Sequence, residues 1–191
     1  MTNVRRVQRL FFLVVLAFIV LLTISWPGGQ ASSSVEQNSP FRYSGDGVLP
    51  LSNIFTHENV TIRFRNTDGT YNEQALEKID HMLACHLNQE ELPISLKLIE
   101  LVDYLQDHFN SSEVQVISGY RSPEYNAKLR HRLRRVARHS FHMAGRAMDL
   151  KLAGVDSRVL RNYTSSLQAG GVGYYGRNRY LHVDSGPVRT W

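Results

Sequence analysis

The apolar residues of this chain follow two patterns, one near the N-terminus and one in the body. Leu10–Trp26 is an uncharged apolar run, preceded by arginines and ended by Pro27. Such a run is long for a signal peptide and slightly short for a membrane span, which needs about 20 residues. We therefore expect residues 1–31 to be a signal peptide or an N-terminal membrane anchor. Either one exports the body, to the periplasm or to the outer face of the cytoplasmic membrane.

The next segment, residues 32–47, contains few apolar positions and many Ser, Asn, Gly and Pro residues. This composition is typical of a flexible linker. Apolar residues then recur throughout residues 48–191. The sequence therefore predicts one folded domain that begins at about Val48 and extends to the last residue.

The spacing of apolar residues in the body predicts both helices and strands. Helical spacing is found in residues 72–85, 94–109 and 156–169, and Ser122 followed by Pro123 predicts the start of another helix that runs to about residue 135. Alternation predicts strands at residues 61–65, 113–118, 146–152, 172–175 and 179–184. This order predicts an α+β fold, with a small, mainly antiparallel sheet and helices packed on one face.

Charge and cysteine content narrow the classes of partner. A basic stretch runs from Lys128 to His139 in a chain of formal net charge +5, and it is either a solvated helix face or a surface attracted to an anionic wall or lipid head groups. No aromatic residues alternate with it to stack on bases, so we expect no nucleic-acid partner. The single cysteine, Cys85, excludes an intramolecular disulfide. We expect Cys85 and His81 to belong to a packed helix rather than to a second metal site.

Four residues carry the clearest candidate chemistry: His142, Asp149, His182 and Asp184. Histidine and carboxylate side chains are zinc ligands, and a catalytic zinc site uses three of them and leaves a fourth position open. Asp149 alternates with apolar neighbours in its predicted strand, so it points away from the core. His182 and Asp184 are two residues apart in a strand and project to one face. If the two strands are neighbours, His142, Asp149 and one or both of His182 and Asp184 converge on one metal ion.

Motifs around these residues extend the pattern to a known family. They are Ser-Gly-Tyr-Arg-Ser at 118–122, Ser-x-His-x-x-Gly-x-Ala-x-Asp at 140–149, Gly-Gly-Val-Gly-Tyr at 170–174, and the C-terminal stretch from His182 to Trp191. Together they resemble the murein endopeptidase K branch of the zinc D-Ala-D-Ala carboxypeptidase superfamily, whose metal site is shared with the hedgehog signalling domain. The resemblance covers about residues 48–191 and is strongest from Ser118 onward.

The resemblance implies a hedgehog/D-Ala-D-Ala peptidase-like fold and a Zn²⁺-dependent peptidase that acts on peptidoglycan peptide stems. Its substrate would be the peptide cross-links of the cell wall, including links between two meso-diaminopimelate residues. It implies zinc ligands at His142, Asp149 and His182, with Arg121 beside the metal to stabilise the oxyanion. Asp184 is then a catalytic or orienting carboxylate.

Three alternatives remain open at this level. Relatives that end in His-x-His use the second histidine as ligand, which would make Asp184 the third ligand and displace His182. The protein could be a D-Ala-D-Ala-type carboxypeptidase, or a non-catalytic zinc-stabilised module that binds the cell wall.

Overall fold

A seven-stranded sheet forms the centre of the structure, a computed structural model that describes residues 41–133 and 136–191. The strands in these ranges are Val48–Asn53 (β1), Asn59–Arg63 (β2), Val114–Ser118 (β3), Ala147–Leu152 (β4), Gly171–Tyr175 (β5), Tyr180–Asp184 (β6) and Arg189–Thr190 (β7). The α-helices are Glu73–Met82 (α1), Leu96–His108 (α2), Pro123–Arg132 (α3) and Ser157–Leu167 (α4), and Phe141–Ala144 forms a 3-10 helix. The α+β class is therefore confirmed.

Three of the four α-helices in the described ranges begin next to a residue whose side chain caps them, close to where the sequence predicts. The Ser122 hydroxyl accepts a hydrogen bond from the backbone N–H of Tyr125, and Pro123 occupies the first turn of α3. Asn72 caps α1 and Asp156 caps α4 in the same way. Each cap satisfies a backbone N–H that has no partner inside the helix.

The sheet is larger than predicted and is mixed, so the expectation of a small, mainly antiparallel sheet needs correction. Its strand order is β2-β1-β3-β4-β6-β5-β7, and the pairs β1–β3 and β5–β7 are parallel.

Two strands of this sheet are not predicted from the sequence. They are β1, which contains Pro50, and β7, which has two residues. Pairing of β1 with β3 starts at Leu51, one residue after Pro50. Pro50, which has no backbone N–H to donate, therefore lies outside the β1–β3 ladder. The chain returns from β1 to a parallel β3 through α1 and α2, as a parallel pair requires a long crossover.

The two faces of the sheet have different surroundings. One face carries buried apolar residues of the strands, and these pack in one core with apolar residues of α1, α2 and α4. The strand residues include Leu51, Val116, Leu150 and Leu181, and the helix residues include Ile79, Leu98 and Leu160. Helix α3 borders the other face, because its residues Tyr125, Leu129 and Arg132 line a cavity together with Asp149. That second face is therefore free to carry polar chemistry.

The residues just before β1 pack against the domain, although the sequence predicts a linker as far as residue 47. The Tyr43 hydroxyl donates to the carbonyl oxygen of Leu167 at 2.6 Å. The Gly47 N–H donates to the buried Asp103 carboxylate at 2.9 Å. Packing of the domain therefore begins before Val48.

The predicted signal or anchor segment, residues 1–31, lies outside the described residues. Within residues 41–133 and 136–191, no helix is long and apolar enough to cross a membrane.

A buried carboxyl group in α2 gives the fold a pH dependence. Asp103 is 0% exposed, and its Oδ1 has no hydrogen-bond partner within the described ranges. Burial raises the pKa of Asp103 to about 8, although the N–H of Gly47 opposes the shift. The folded state therefore keeps a proton on Asp103 at pH values where the unfolded chain, with an Asp pKa of about 3.9, has lost it.

We predict that the contribution of Asp103 to the free energy of unfolding falls by on the order of 3 kcal/mol as the pH rises from about 5 to about 8. Asp103→Asn should reduce this fall, because an amide stays neutral and still offers an oxygen to Gly47. Urea unfolding of both proteins across this pH range measures the difference. The exposed Glu73 on α1 supplies a control variant, Glu73→Gln, which should leave the pH dependence across this range unchanged. An Asp103→Asn protein with the parent pH dependence would contradict the prediction.

Candidate metal centre

Two adjacent strands bring two of the predicted ligands face to face. In the antiparallel pair β4–β6, Asp149 lies directly opposite His182. Their chain neighbours Leu150 and Leu181 are buried in the apolar core. Because side chains alternate along a strand, Asp149 and His182 project to the opposite face of the sheet.

The 3-10 helix before β4 brings His142 to the same place. Ser140 caps this short helix, and Gly145 ends it in the left-handed conformation with φ 62°. A Cβ at Gly145 would overlap the carbonyl oxygen of Pro93, so both the backbone angle and the close approach require glycine. The Nδ1 atom of His142 lies 2.7 Å from the carbonyl oxygen of Gly119, to which it donates, and this leaves Nε2 facing the sheet.

Three potential ligand atoms meet at this point. His142 Nε2 lies 3.1 Å from His182 Nδ1 and 3.3 Å from Asp149 Oδ1. His182 Nδ1 and Asp149 Oδ1 are 2.9 Å apart, and all three residues are buried. Ligand atoms bound tetrahedrally at zinc distances of 2.0–2.1 Å are about 3.3 Å apart. The nitrogen and oxygen donors therefore fit a zinc ion in both type and spacing.

Asp184 lies behind His182 and outside this cluster. Its Oδ2 is 3.0 Å from His182 Nε2, and because a carboxylate can only accept, Nε2 donates to Asp184 and Nδ1 is the ring nitrogen that faces the cluster. The backbone N–H of Gly186 and the guanidinium of Arg189 also donate to Asp184. This geometry matches His182 as the third member of the cluster and does not match Asp184 in that position.

The electrostatics of the cluster favour an ionised carboxylate between two imidazoles. Burial alone would raise the pKa of Asp149, but the charges and hydrogen bonds of the two histidines and Arg121 outweigh it and hold that pKa well below its usual value. Burial lowers the pKa of His142. Burial opposes charge on His182 as well, but its hydrogen bonds to Asp149 and Asp184 raise its pKa. A cation therefore competes with a proton for His182, and low pH should weaken metal binding.

Arg121 holds the other side of the Asp149 carboxylate. Its Nη2 forms an ion pair with Asp149 Oδ2, and its Nε donates to the Ser118 hydroxyl at 2.9 Å. Ser118 is on the Asp149 face because the β3–β4 register shifts between Val116 and Ser118. The predicted position of Arg121 beside the cluster matches the structure, and its contacts direct Asp149 Oδ1 towards the histidines.

The cluster lies between two cavities that share Arg121 and Tyr175. The first, of about 470 Å³, is also lined by His142, His182 and Trp191. The second, of about 680 Å³, is lined on one side by Asp149 and contains aromatic walls formed by Phe55, His86, Tyr125 and Tyr180. Members of the candidate metal centre therefore line both cavities.

His81 and Cys85 do not share a packed helix, so that part of the prediction is wrong. Helix α1 ends at Met82, so Cys85 lies beyond it, buried beside the Ser122 hydroxyl at 3.6 Å. His81 is paired with Glu91 at 2.8 Å on the surface. Neither belongs to a group of three potential ligands within the described ranges.

Comparison with known proteins shows the family to which the chain belongs. The family profile described as peptidoglycan L,D-endopeptidase MepK matches residues 44–191. The chain belongs to the MepK family. The resemblance to this branch that the sequence predicts is therefore confirmed.

Two curated relatives show the extent of the match. Peptidoglycan L,D-endopeptidase MepK of Escherichia coli strain K12 is 37% identical over 145 residues, which cover 75% of this chain and 79% of that protein. The probable peptidoglycan L,D-endopeptidase MepK of Haemophilus influenzae is 34% identical over 146 residues, which cover 75% of this chain and 78% of that protein. No solved structure matches the chain significantly. The matched part of the chain contains all the cluster residues.

The sequence does not predict the contribution of the C-terminal residues to this site. Gly173 lies opposite His182, and a Cβ there would be 2.5 Å from the Trp191 ring. The glycine therefore makes room for the indole, whose ring centroid is 5.2 Å from that of His182. Gly171 and Gly173, two residues apart at the start of β5, are the signal that could have indicated a close neighbour on that face.

We predict that His142→Ala and Asp149→Ala each abolish stoichiometric zinc binding, because each removes one of the three converging donors. Elemental analysis of purified protein after dialysis against zinc measures this. His139→Ala is the control, since His139 lines the same cavity but lies outside the cluster, and it should keep its zinc. Full zinc occupancy in the Asp149 variant would show that the cluster is not the metal site.

Proposed function

We propose that this protein is a zinc-dependent endopeptidase that hydrolyses peptide cross-links of peptidoglycan. The observation that carries the proposal is the convergence of His142 Nε2, Asp149 Oδ1 and His182 Nδ1 between two cavities. The names of the relatives, peptidoglycan L,D-endopeptidases, support peptidoglycan as substrate and an L,D-peptide bond as the bond cleaved.

We propose that His142, Asp149 and His182 hold the zinc ion. Zinc bound there would supply a Lewis acid for the substrate carbonyl and lower the pKa of water. The chain's own groups then fix the site: Gly119 orients the His142 ring, and Arg121 orients Asp149. Arg121 is 13% exposed and borders both cavities, so its guanidinium is also placed to stabilise negative charge on the substrate.

Of the two roles that the sequence leaves open for Asp184, catalytic or orienting, we assign it the orienting one. Its side chain is 0% exposed, and both of its oxygens accept hydrogen bonds from protein groups. Burial alone would raise the pKa of Asp184, but hydrogen bonds from His182, Arg189 and Gly186 outweigh it and hold that pKa well below its usual value. A carboxylate so strongly solvated by the protein is a poor proton acceptor, whereas it is well suited to hold an imidazole.

The two cavities favour an endopeptidase over a D-Ala-D-Ala-type carboxypeptidase. A carboxypeptidase needs room for one residue on the C-terminal side of the cleaved bond, whereas an endopeptidase needs room for chain on both sides. The two cavities, of about 470 and 680 Å³, share Arg121 and Tyr175. His142 and His182 line the first and Asp149 lines the second, so space for a bound peptide is available next to different members of the cluster.

We also propose that residues 1–31 export the domain to the cell-wall compartment, as a cleaved signal or as an uncleaved anchor. A cross-link-cleaving enzyme must reach peptidoglycan, which lies outside the cytoplasmic membrane. Mass measurement of the mature N-terminus separates the two cases.

We predict that the zinc-loaded protein converts purified cross-linked muropeptide dimers, joined between two diaminopimelate residues, to monomers. Mass spectrometry identifies the products, and Asp149→Ala at equal concentration is the control for metal-dependent hydrolysis. Release of free D-alanine from uncross-linked pentapeptides, with intact dimers, would indicate the carboxypeptidase alternative. Zinc binding with neither reaction would indicate the non-catalytic module.

A further inference from the structure

The last strand places a guanidinium against the carboxylate behind His182. Arg189 Nη2 lies 2.7 Å from Asp184 Oδ2, and Arg189 Nη1 lies 3.1 Å from Asp184 Oδ1. This two-pronged contact fixes the plane of the carboxylate, which a single ammonium group cannot do. The same Oδ2 accepts the N–H of the His182 ring at 3.0 Å. A continuous chain of contacts therefore runs from Arg189 through Asp184 to a candidate ligand.

Aromatic rings on two sides hold the guanidinium in place. Its central carbon is 5.1 Å from the centroid of the Phe141 ring and 5.0 Å from that of the Trp191 ring. Both distances are in the range of cation–π contacts. Phe141 directly precedes His142 in the chain, so this packing connects the C-terminal strand to the 3-10 helix that carries another candidate ligand.

Strand β5, which pairs with β7, leaves room for the Arg189 side chain. Gly171 is the register partner of both Asp184 in β6 and Arg189 in β7. A Cβ at Gly171 would lie 2.5 Å from Arg189 Nη1 and would also overlap the Asp184 carboxylate. Two backbone hydrogen bonds hold the residue after β7 against β5: Trp191 N donates to Val172 O at 3.2 Å, and Tyr174 N donates to Trp191 O at 3.1 Å.

We propose that Arg189 is a positioning residue of the metal centre. It fixes the Asp184 carboxylate, which in turn holds the His182 ring with Nδ1 towards the ion. The inference rests on the proposed function, because it takes His182 as a zinc ligand. Residues that orient a ligand in this way typically change metal affinity by about 10- to 100-fold when they are removed.

Arg146 provides a matched control. Its guanidinium carbon lies 4.9 Å from the same Phe141 ring, and its Nη2 donates to the backbone oxygen of Ser185 at 3.1 Å. It therefore shares the aromatic contact and the location of Arg189, but its hydrogen bonds go to Ser185 and not to Asp184.

The test compares the full-length variants Arg189→Met, Arg189→Lys and Arg146→Met with the parent protein. Zinc dissociation constants are measured by competition with a chromophoric chelator, and the visible absorption of the Co²⁺-substituted proteins reports the geometry at the metal. Circular dichroism establishes which variants are folded. We expect Arg189→Met to weaken zinc binding by about 10- to 100-fold and to alter the Co²⁺ spectrum. Arg189→Lys should lie between Met and the parent, and Arg146→Met should match the parent.

Parent-like zinc affinity and Co²⁺ spectrum in folded Arg189→Met would overturn the proposal. If Arg189→Met does not fold, the lysine variant decides: parent-like values in it would show that the two-pronged contact is not needed. Equal losses in Arg146→Met and Arg189→Met would also overturn it, since they would reflect general packing. Failure of the parent itself to bind zinc would contradict the proposed function, which distinguishes that failure from failure of the Arg189 proposal alone.

Discussion

The buried carboxylate of Asp149 is the constraint on which the rest of the site depends. An ionised group without compensation inside a protein costs several kcal/mol, so its surroundings must supply positive charge or hydrogen-bond donors. Arg121 supplies a fixed charge on one oxygen, and two imidazoles approach the other. A divalent cation at the same oxygen would add to this compensation, and potential metal ligands and an ion-pair partner surround this one side chain.

Other groups of the protein in turn hold the two imidazole rings in place, and one of these groups is a backbone carbonyl. The carbonyl of Gly119 holds one imidazole, and the Asp184 carboxylate holds the other. Glycines allow the close approaches that this arrangement requires, at Gly145 against Pro93 and at Gly171 against the Asp184–Arg189 pair. The glycines of the motifs are therefore explained by space and backbone angle as well as by family membership.

The site is assembled from segments that are distant in the sequence but adjacent in the sheet. Strand β4 carries Asp149, and β6 on one side carries His182 and Asp184. Strand β3 on the other side leads into Arg121, and β7 at the edge brings Arg189 and Trp191 back over β5. Because one face of this sheet is occupied by the apolar core, the polar residues of all these strands share the remaining face. This division of the sheet concentrates the chemistry on one face.

Local signals in the sequence were enough to determine several parts of this protein. The caps at Ser122 and Asp156 set helix starts through contacts within three residues, and the two-residue period of β4 and β6 determined that Asp149 and His182 leave the core together. The tertiary structure alone decided the rest. His182 and Asp184 share a strand face, so periodicity could not distinguish them, whereas the orientation of the His182 ring between two carboxylates does. The parallel pairing of β1 and the contact of Arg189 with Asp184 depend on chain crossovers and strand order, which join residues that no short-range pattern relates.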